Sequence, residues 1–402
     1  MIIENLKKNI TKYITTAAVI FLIFTKPSMS LNYENYEQWL NQVFINHFQE
    51  NHSPKFVKEI IKESKLNKKE FYKIDTITNK IYDKDFKDPE LYFNKKSILI
   101  RLRKAIKLSK TYKSQLSKIE KKFGVPQSII LSIWGIESDF GTVKLEFSVL
   151  KAIVFHIYSG KRKKFYKDEL NHILKIIKQD KINIKKILGS SYGAMGQPQF
   201  MPSNYIKYGY DFNNDEKVDL WNSESDTLAS IANFLNSNGW EKNLTWGAEV
   251  TKNPNLPCYT EGPNNKKTIK EWKLNGINLV DGKSILNFPN SVKTSLFLPK
   301  GEYGPKFLVT NNFYILKKYN FSDFYALYVS IFADLIEGKK FFQRPWTSTI
   351  KLNQNKVLKI QSLLVQNGYD VGGLDGLIGI KTRQSLGKYQ EKMKQKITCY
   401  PN

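Results

Sequence analysis

The sequence predicts a mainly α-helical protein with a helical N-terminal layer, a small β-rich insertion and a C-terminal helical module. Apolar residues recur at helical spacing through most of the chain, as in Leu116, Ile119 and Phe123. Between about 245 and 298 that pattern breaks: Pro, Gly and Asn recur, and Ile277-Asn278-Leu279-Val280 reads as a strand. Helical spacing returns at 322–337, Arg344-Pro345 ends it, and 352–395 follows as a separate small module.

The composition bounds the function. A chain of 402 residues, 41% hydrophobic and 13% aromatic, can bury a sizeable core and hold more than one domain. It carries 63 Lys+Arg against 37 Asp+Glu, a net charge of +26 that favours polyanionic surroundings such as a cell wall or membrane surface. Nucleic acid is not expected, because the lysines are spread along the chain and no recognition-helix, RNP-like or zinc-finger pattern accompanies them.

At the N-terminus, Lys7, Lys8 and Lys12 precede an apolar run from Ala17 to Phe24 and the small-x-small tripeptide Ser28-Met29-Ser30. This reads as a Sec signal peptide over 1–30, hence a periplasmic protein; an uncleaved anchor is the alternative, although the run is short for a span of about 20 residues. Cys258 and Cys399 are too few for a disulfide framework or a zinc site. In an oxidising compartment they pair or stay two separate thiols, and the sequence leaves both open.

The helical layer of about 34–122 leads into the stretch from Gly124 to Gly141, where Pro126 suits a first helical position and Gly141 a C-terminal cap, enclosing about four turns. Glu137 follows Trp134 by three residues, Ile133 by four and Ile130 by seven, so it shares their apolar face. Burial raises the pKa of a carboxyl group and suits it to act as a general acid near neutral pH. The plainer reading is a Glu whose stem reaches solvent or pairs with a lysine. Asp139 lies off that face and reads as a solvated residue at the helix end.

A second segment runs Ser190-Ser191-Tyr192-Gly193-Ala194-Met195-Gly196-Gln197-Pro198-Gln199-Phe200-Met201-Pro202-Ser203. Its glycines permit close backbone approach to a ligand, and Ser190 and Gln199 offer neutral hydrogen bonds suited to sugars; a tight structural turn explains the same residues.

Three ordered blocks carry a resemblance: Trp134 to Gly141, Gly193 to Ser203, and Ser230-Ile231-Ala232-Asn233-Phe234 through Gly239-Trp240. They resemble lytic murein transglycosylase B, the glycoside hydrolase family 103 catalytic domain, over most of residues 34–340. The resemblance implies a lysozyme-like helical core in a catalytic domain of 31–345, and assigns the single catalytic acid/base to Glu137. It puts Ser190 and Gln199 in the substrate groove and Phe200 in its wall. Tyr319, Asn320 and Tyr325 match the family's Tyr-Asn-x-Ser-x-x-Tyr-Ala pattern and become groove candidates, while helix packing and an Asn/Ser cap explain Tyr325 nearly as well. Arg162 falls where the family has a basic pair beside the peptide-bearing sugar; a solvated charge run is the alternative. Phe234 stands where some members have Tyr, which removes one hydroxyl from the groove.

By the same resemblance the substrate is the glycan strand of peptidoglycan, cut between N-acetylmuramic acid and N-acetylglucosamine to leave a 1,6-anhydromuramoyl end, with no cofactor required. Cell-wall synthesis or division proteins are further expected partners of unspecified identity. Two other functions stay open: a catalytically silent peptidoglycan-binding protein, and a hydrolase with a second carboxylate across the cleft.

Asp211, Asn213, Asp215, Lys217 and Asp219 occupy positions 1, 3, 5, 7 and 9 of an EF-hand-like loop, with Asp226 completing the set for a structural calcium ion. Glu216 replaces the glycine that such a loop has at position 6, and Asn222 replaces the closing Glu. Some family members have a calcium loop at this place. The module at 352–395, with Asp375-Gly376-Leu377-Ile378-Gly379-Ile380-Lys381-Thr382, resembles the three-helix peptidoglycan-binding domain. Asp375 and Thr382 are its expected helix caps. As a separate module it would tether the enzyme to insoluble wall without supporting the catalytic fold.

Overall fold

A computed structural model describes residues 31–44, 53–84, 92–179, 182–280, 291–347 and 352–401; the expected signal at 1–30 lies outside the described residues. The N-terminal layer consists of α1 (Tyr33–Trp39), α2 (Pro54–Ser64) and α3 (Lys68–Lys84). Asn32 and Ser53 cap the first two by accepting backbone N–H groups. Tyr36 and Phe71, both buried, pack with Phe155 and Tyr158 and fasten this layer to the core.

The core follows: α4 (Lys95–Thr111), α5 (Lys113–Phe123), α6 (Gln127–Ser138), α7 (Val149–Ser159), α8 (Lys163–Gln179), α9 (Pro202–Tyr208) and α10 (Glu224–Ser237). A two-stranded ribbon, β1 (Phe147–Ser148) with β2 (Leu188–Gly189), joins the segment before α7 to the segment after α8. Helix α6 is the central element, with Ile130, Leu131, Ile133 and Trp134 at 0–1% exposure. It packs against α4, α5, α10 and the later helix Asp323–Ile336, so its sequence is apolar nearly all round, as a helix enclosed by others must be.

The β-rich unit is a five-stranded antiparallel sheet in the order β4-β6-β7-β3-β5, formed by β3 (Gly247–Thr251), β4 (Lys267–Thr268), β5 (Asn278–Leu279), β6 (Lys293–Phe297) and β7 (Lys306–Val309). It extends past the expected limit of 298, because β7 pairs with both β3 and β6 in its centre. A short helix, α11 (Ile269–Leu274), is held by a Thr268/Glu271 capping box. The chain returns to the core through α12 (Asn311–Tyr319) and α13 (Asp323–Ile336).

The C-terminal segment differs from the expected separate three-helix module. Among the described residues it has two helices, α14 (Gln354–Gln366) and α15 (Ile380–Lys392), around a small cluster of Leu364, Val371 and Leu386. Asp375 and Thr382 do not cap helices there: Asp375 accepts from the Gln361 amide and the Leu377 N–H, and Thr382 bonds the Val371 carbonyl. Cys258 and Cys399 form a disulfide between this segment and the β-rich unit. Residue 398 joins the same seam, its carbonyl accepting the Glu302 N–H. Among the described residues no helix is long and apolar enough to cross a membrane.

Candidate active site

Helix α6 delivers Glu137 to the site one residue before the helix ends. It ends sooner than Gly141 suggested: Asp139 and Phe140 both take left-handed backbone, with φ of 48° and 61°. Phe140 thereby folds back edge-on to Trp134, ring centroids 5.5 Å apart. Gly135 permits this, since a Cβ there would lie 2.6 Å from the Phe140 ring. At the other end Pro126 is the N-cap rather than the first helical residue.

Glu137 is half-buried, and Tyr325 from α13 donates its hydroxyl to Oε1 at 2.6 Å. Burial pushes the Glu137 carboxyl up to about 7, opposed by the Tyr325 hydrogen bond, which favours the ionised form. Tyr325 and Tyr319 are both held far above the ordinary phenol range by burial and by the nearby Glu137 charge, so Tyr325 remains a donor. Asp139 differs in kind. Burial raises its pKa, but hydrogen bonds from Lys104 and Thr142 and the charges of Lys104 and Arg101 bring it below the usual range. Lys104 Nζ stands 2.9 Å from it. It is a salt-bridged carboxylate facing α4, not the simply solvated residue that its position suggested.

The glycine-containing loop forms the neighbouring wall. Met195 and Phe200 exchange both backbone hydrogen bonds, at 2.7 and 3.1 Å, and Ser190 Oγ accepts from the N–H groups of Tyr192 and Ala194. Gln199 is held at φ 53° with its amide on the Gly196 carbonyl at 2.8 Å. A left-handed non-glycine residue at such a loop costs free energy and marks a conformation imposed by its surroundings. Gly196 cannot carry a side chain: a Cβ would lie 2.5 Å from the Leu220 carbonyl.

Two groups that the sequence reading left without a role join this loop to the helices. Gln197 accepts from Trp134 Nε1 at 2.7 Å and donates to the Trp221 carbonyl at 3.1 Å, tying the loop to α6. His156 on α7 is stacked between Tyr166 and Tyr192 and donates Nε2–H to the Ser191 carbonyl at 3.0 Å. Burial lowers its pKa to about 4, so it is neutral at physiological pH. Gln197 lies inside the quoted loop block and was visible as a polar residue there; nothing local marks His156.

The remaining candidates separate into three groups. Tyr319 donates its hydroxyl to the Pro198 carbonyl at 2.7 Å and stacks parallel to Tyr325 with centroids 6.4 Å apart, so the loop, Tyr319, Tyr325 and Glu137 form one connected set. Phe200 and Phe234, 1% and 4% exposed, stand behind Tyr319 rather than in an open groove wall, packed with it and with Tyr208. Neither ring is open to solvent. Asn320, exposed, caps the turn by accepting the Ser322 N–H, and Ser322 in turn caps α13 through Tyr325 N–H. Arg162 is exposed, its guanidinium 4.1 Å from the Phe165 ring centroid, and belongs to the surface beside the α7–α8 turn.

The calcium set does not gather as expected. Asp211 accepts three backbone N–H groups, from Asn214, Asp215 and Glu216, and the fully buried Asp226 accepts those of Phe212 and Asp219. Asn213 and Asp215 accept from Asp215 and Lys217 N–H in the same way. Glu216 adopts φ 66° in place of the glycine. Among the described residues no group of three or more His, Cys, Asp or Glu converges as a metal site. The Asp211, Asp215 and Asp226 carboxylates are engaged with backbone donors that close the loop.

The arrangement is thus a helical core with one half-buried acid at the end of its central helix, flanked by a glycine loop and a tyrosine pair. The family described as Transglycosylase SLT domain matches residues 35–334, and the chain belongs to it. The membrane-bound lytic murein transglycosylase B of Escherichia coli K12 is 29% identical over 222 residues; the match spans 54% of this chain and 59% of that relative's length. SltB3 of Pseudomonas aeruginosa, solved in complex with NAG-NAM-pentapeptide, superimposes with a TM-score of 0.81 at 27% identity, covering 91% of this chain and 97% of that one. The E. coli transglycosylase Slt35 in complex with calcium shares the fold, with a TM-score of 0.57 at 22% identity over 75% of this chain and 92% of that one.

Proposed function

We propose that the chain is a lytic transglycosylase of the cell wall, cleaving the bond between N-acetylmuramic acid and N-acetylglucosamine. One observation carries the reading: Glu137 is a half-buried carboxyl whose pKa is near neutrality and whose Oε1 is held by Tyr325. With Oε1 accepting from Tyr325, the acid proton sits on Oε2, ready for the glycosidic oxygen.

In the first half-reaction Glu137 protonates the oxygen leaving C1 of N-acetylmuramic acid, and the bond to C1 breaks with help from that sugar's acetamido group. In the second, the Glu137 carboxylate takes the proton of the C6 hydroxyl as its oxygen closes onto C1. The product is a 1,6-anhydro sugar, Glu137 is protonated again, and no water is consumed. Tyr325 supports both halves, since its hydrogen bond stabilises the carboxylate formed in between. Asp139 has no part in this scheme, because Lys104 and Arg101 hold it ionised toward α4.

The substrate reading is supported by SltB3, solved with a NAG-NAM-pentapeptide and with a NAG-anhNAM-pentapeptide. Ser190, Gln199, Tyr319 and Asn320 are the residues of this chain proposed to meet the glycan, and Arg162 its peptide-bearing sugar. The buried disulfide is consistent with an oxidising compartment such as the periplasm. Segment 352–395 adds a wall-binding surface, and calcium has no part in the chemistry. Mass analysis of fragments released from purified sacculi tests the proposal. Anhydro ends, lighter by one water than hydrolytic ends, support it; reducing ends identify a hydrolase, and no release identifies a binding protein.

A further inference from the structure

One guanidinium joins three parts of the chain. Arg383, on α15 and 1% exposed, donates Nε and Nη2 to the two oxygens of Glu261 at 2.8 and 3.0 Å. Its Nη1 reaches Asp323 at 2.9 Å and the Ile378 carbonyl at 2.9 Å. Glu261 belongs to the β-rich unit, is fully buried, and also accepts the Leu298 N–H at 3.0 Å. Asp323 is the first residue of α13, and Lys317 from α12 lies 2.5 Å from its other oxygen. Two residues further on stands Tyr325, whose hydroxyl holds Glu137.

A forked, bidentate arginine with two buried carboxylates has little freedom to rearrange. Such buried pairs add little net stability over apolar packing, and their better-attested use is to select one arrangement. Here the selected element is the first turn of α13. The body of that helix is fixed by packing on α6, whereas the turn bearing Tyr325 is fixed by the Ser322 cap and by Asp323.

We infer that Arg383 is a positioning residue for the catalytic pair: by holding Asp323 it sets the start of α13, and with it the Tyr325 hydroxyl against Glu137, given the roles proposed above for both. The C-terminal segment is then a brace of the active site as well as a wall-binding surface.

The test is a double-mutant cycle on the full chain, read as kcat and KM on a short soluble glycan. Asp323→Asn keeps the side-chain shape and leaves the Arg383–Glu261 fork in place. It lowers kcat about tenfold with KM within about twofold, less than the ~10²-fold that a 1 Å misplacement can cost. In a Tyr325→Phe background the same substitution changes kcat by less than about twofold, because the group through which it acts is gone. Gln384→Ala removes a hydrogen bond to the Glu261 carbonyl in the same seam without touching α13, and keeps wild-type kcat.

Undiminished kcat in Asp323→Asn, an equal proportional loss in both backgrounds, or a comparable loss in Gln384→Ala would each overturn the inference. Should Asp323→Asn fail to fold, Arg383→Lys enters the same cycle under the same criteria, since it keeps a charge for Glu261 but cannot fork to both partners. Wild-type kcat in Tyr325→Phe alone would remove the catalytic role of Tyr325 on which the inference rests.

Discussion

Deleting residues 352–402 removes Cys399, Arg383 and the Thr398 carbonyl that accepts the Glu302 N–H. The Cys258–Cys399 bond closes a span of 141 residues, and a cross-link of that length restricts the unfolded chain by about 5 kcal/mol. Loss of Arg383 leaves Glu261 buried without its counter-charge, and breaking one side of such a pair costs about 3–5 kcal/mol. These effects together are comparable with the whole stability of a typical domain, about 5–15 kcal/mol. The truncated chain is therefore expected to melt far below the full chain and to lose turnover of short soluble glycans as well as of sacculi. Differential scanning fluorimetry and a soluble-glycan assay on both forms decide the matter. A truncated form with unchanged melting and unchanged soluble turnover would show the tail to be the detachable module that the sequence suggested, and would refute the burial argument.

Four further outcomes are expected. Because Glu137 must be protonated for the first step and its pKa is about 7, kcat/KM falls as pH rises through that value; Tyr325→Phe, which removes a bond favouring the carboxylate, moves this limb to higher pH, as a pH–rate profile would show. The same raised pKa penalises the folded state progressively from the unfolded value near 4.5 up to about 7, by at most about 3 kcal/mol. Glu137→Gln is accordingly more stable than wild type at pH 8 and no different below pH 4, measured by denaturant melts. Gly135→Ala forces the Phe140 ring aside and destabilises by about 1–3 kcal/mol, and chelation of calcium leaves soluble-glycan turnover unchanged.

How far the sequence could be read depended on whether the deciding contact was local. Glu137 was legible because its helical face is written in residues three, four and seven positions away. The end of that helix was not, since Gly141 looked like a cap while the Phe140 ring turning onto Trp134 decided where the helix stops. Strand β7 was missed because Lys306-Phe307-Leu308-Val309 is buried almost throughout and shows no alternation. Phe200 and Phe234 read as groove residues from the motif, yet whether a ring faces solvent depends on Tyr319 and Tyr208, which come from other elements. Arg383 lay among ordinary lysines, with its two carboxylate partners 122 and 60 residues distant; only the folded chain brings them together. The spacing of Asp211, Asn213 and Asp215 was legible as a tight acidic loop, but not the backbone N–H groups that each side chain accepts within it.

In the proposed mechanism one carboxyl group, Glu137, is both acid and base. Glu137→Gln keeps the shape and can still hydrogen-bond, but it neither delivers nor accepts the proton. The variant is expected to fold, to bind glycan and to turn it over at less than about a hundredth of the wild-type rate, the usual minimum worth of a general acid/base. In labelled water the wild type releases anhydro ends free of heavy oxygen. A Glu137→Gln variant that keeps most of its turnover, or wild-type products that carry the label at their reducing ends, would contradict it.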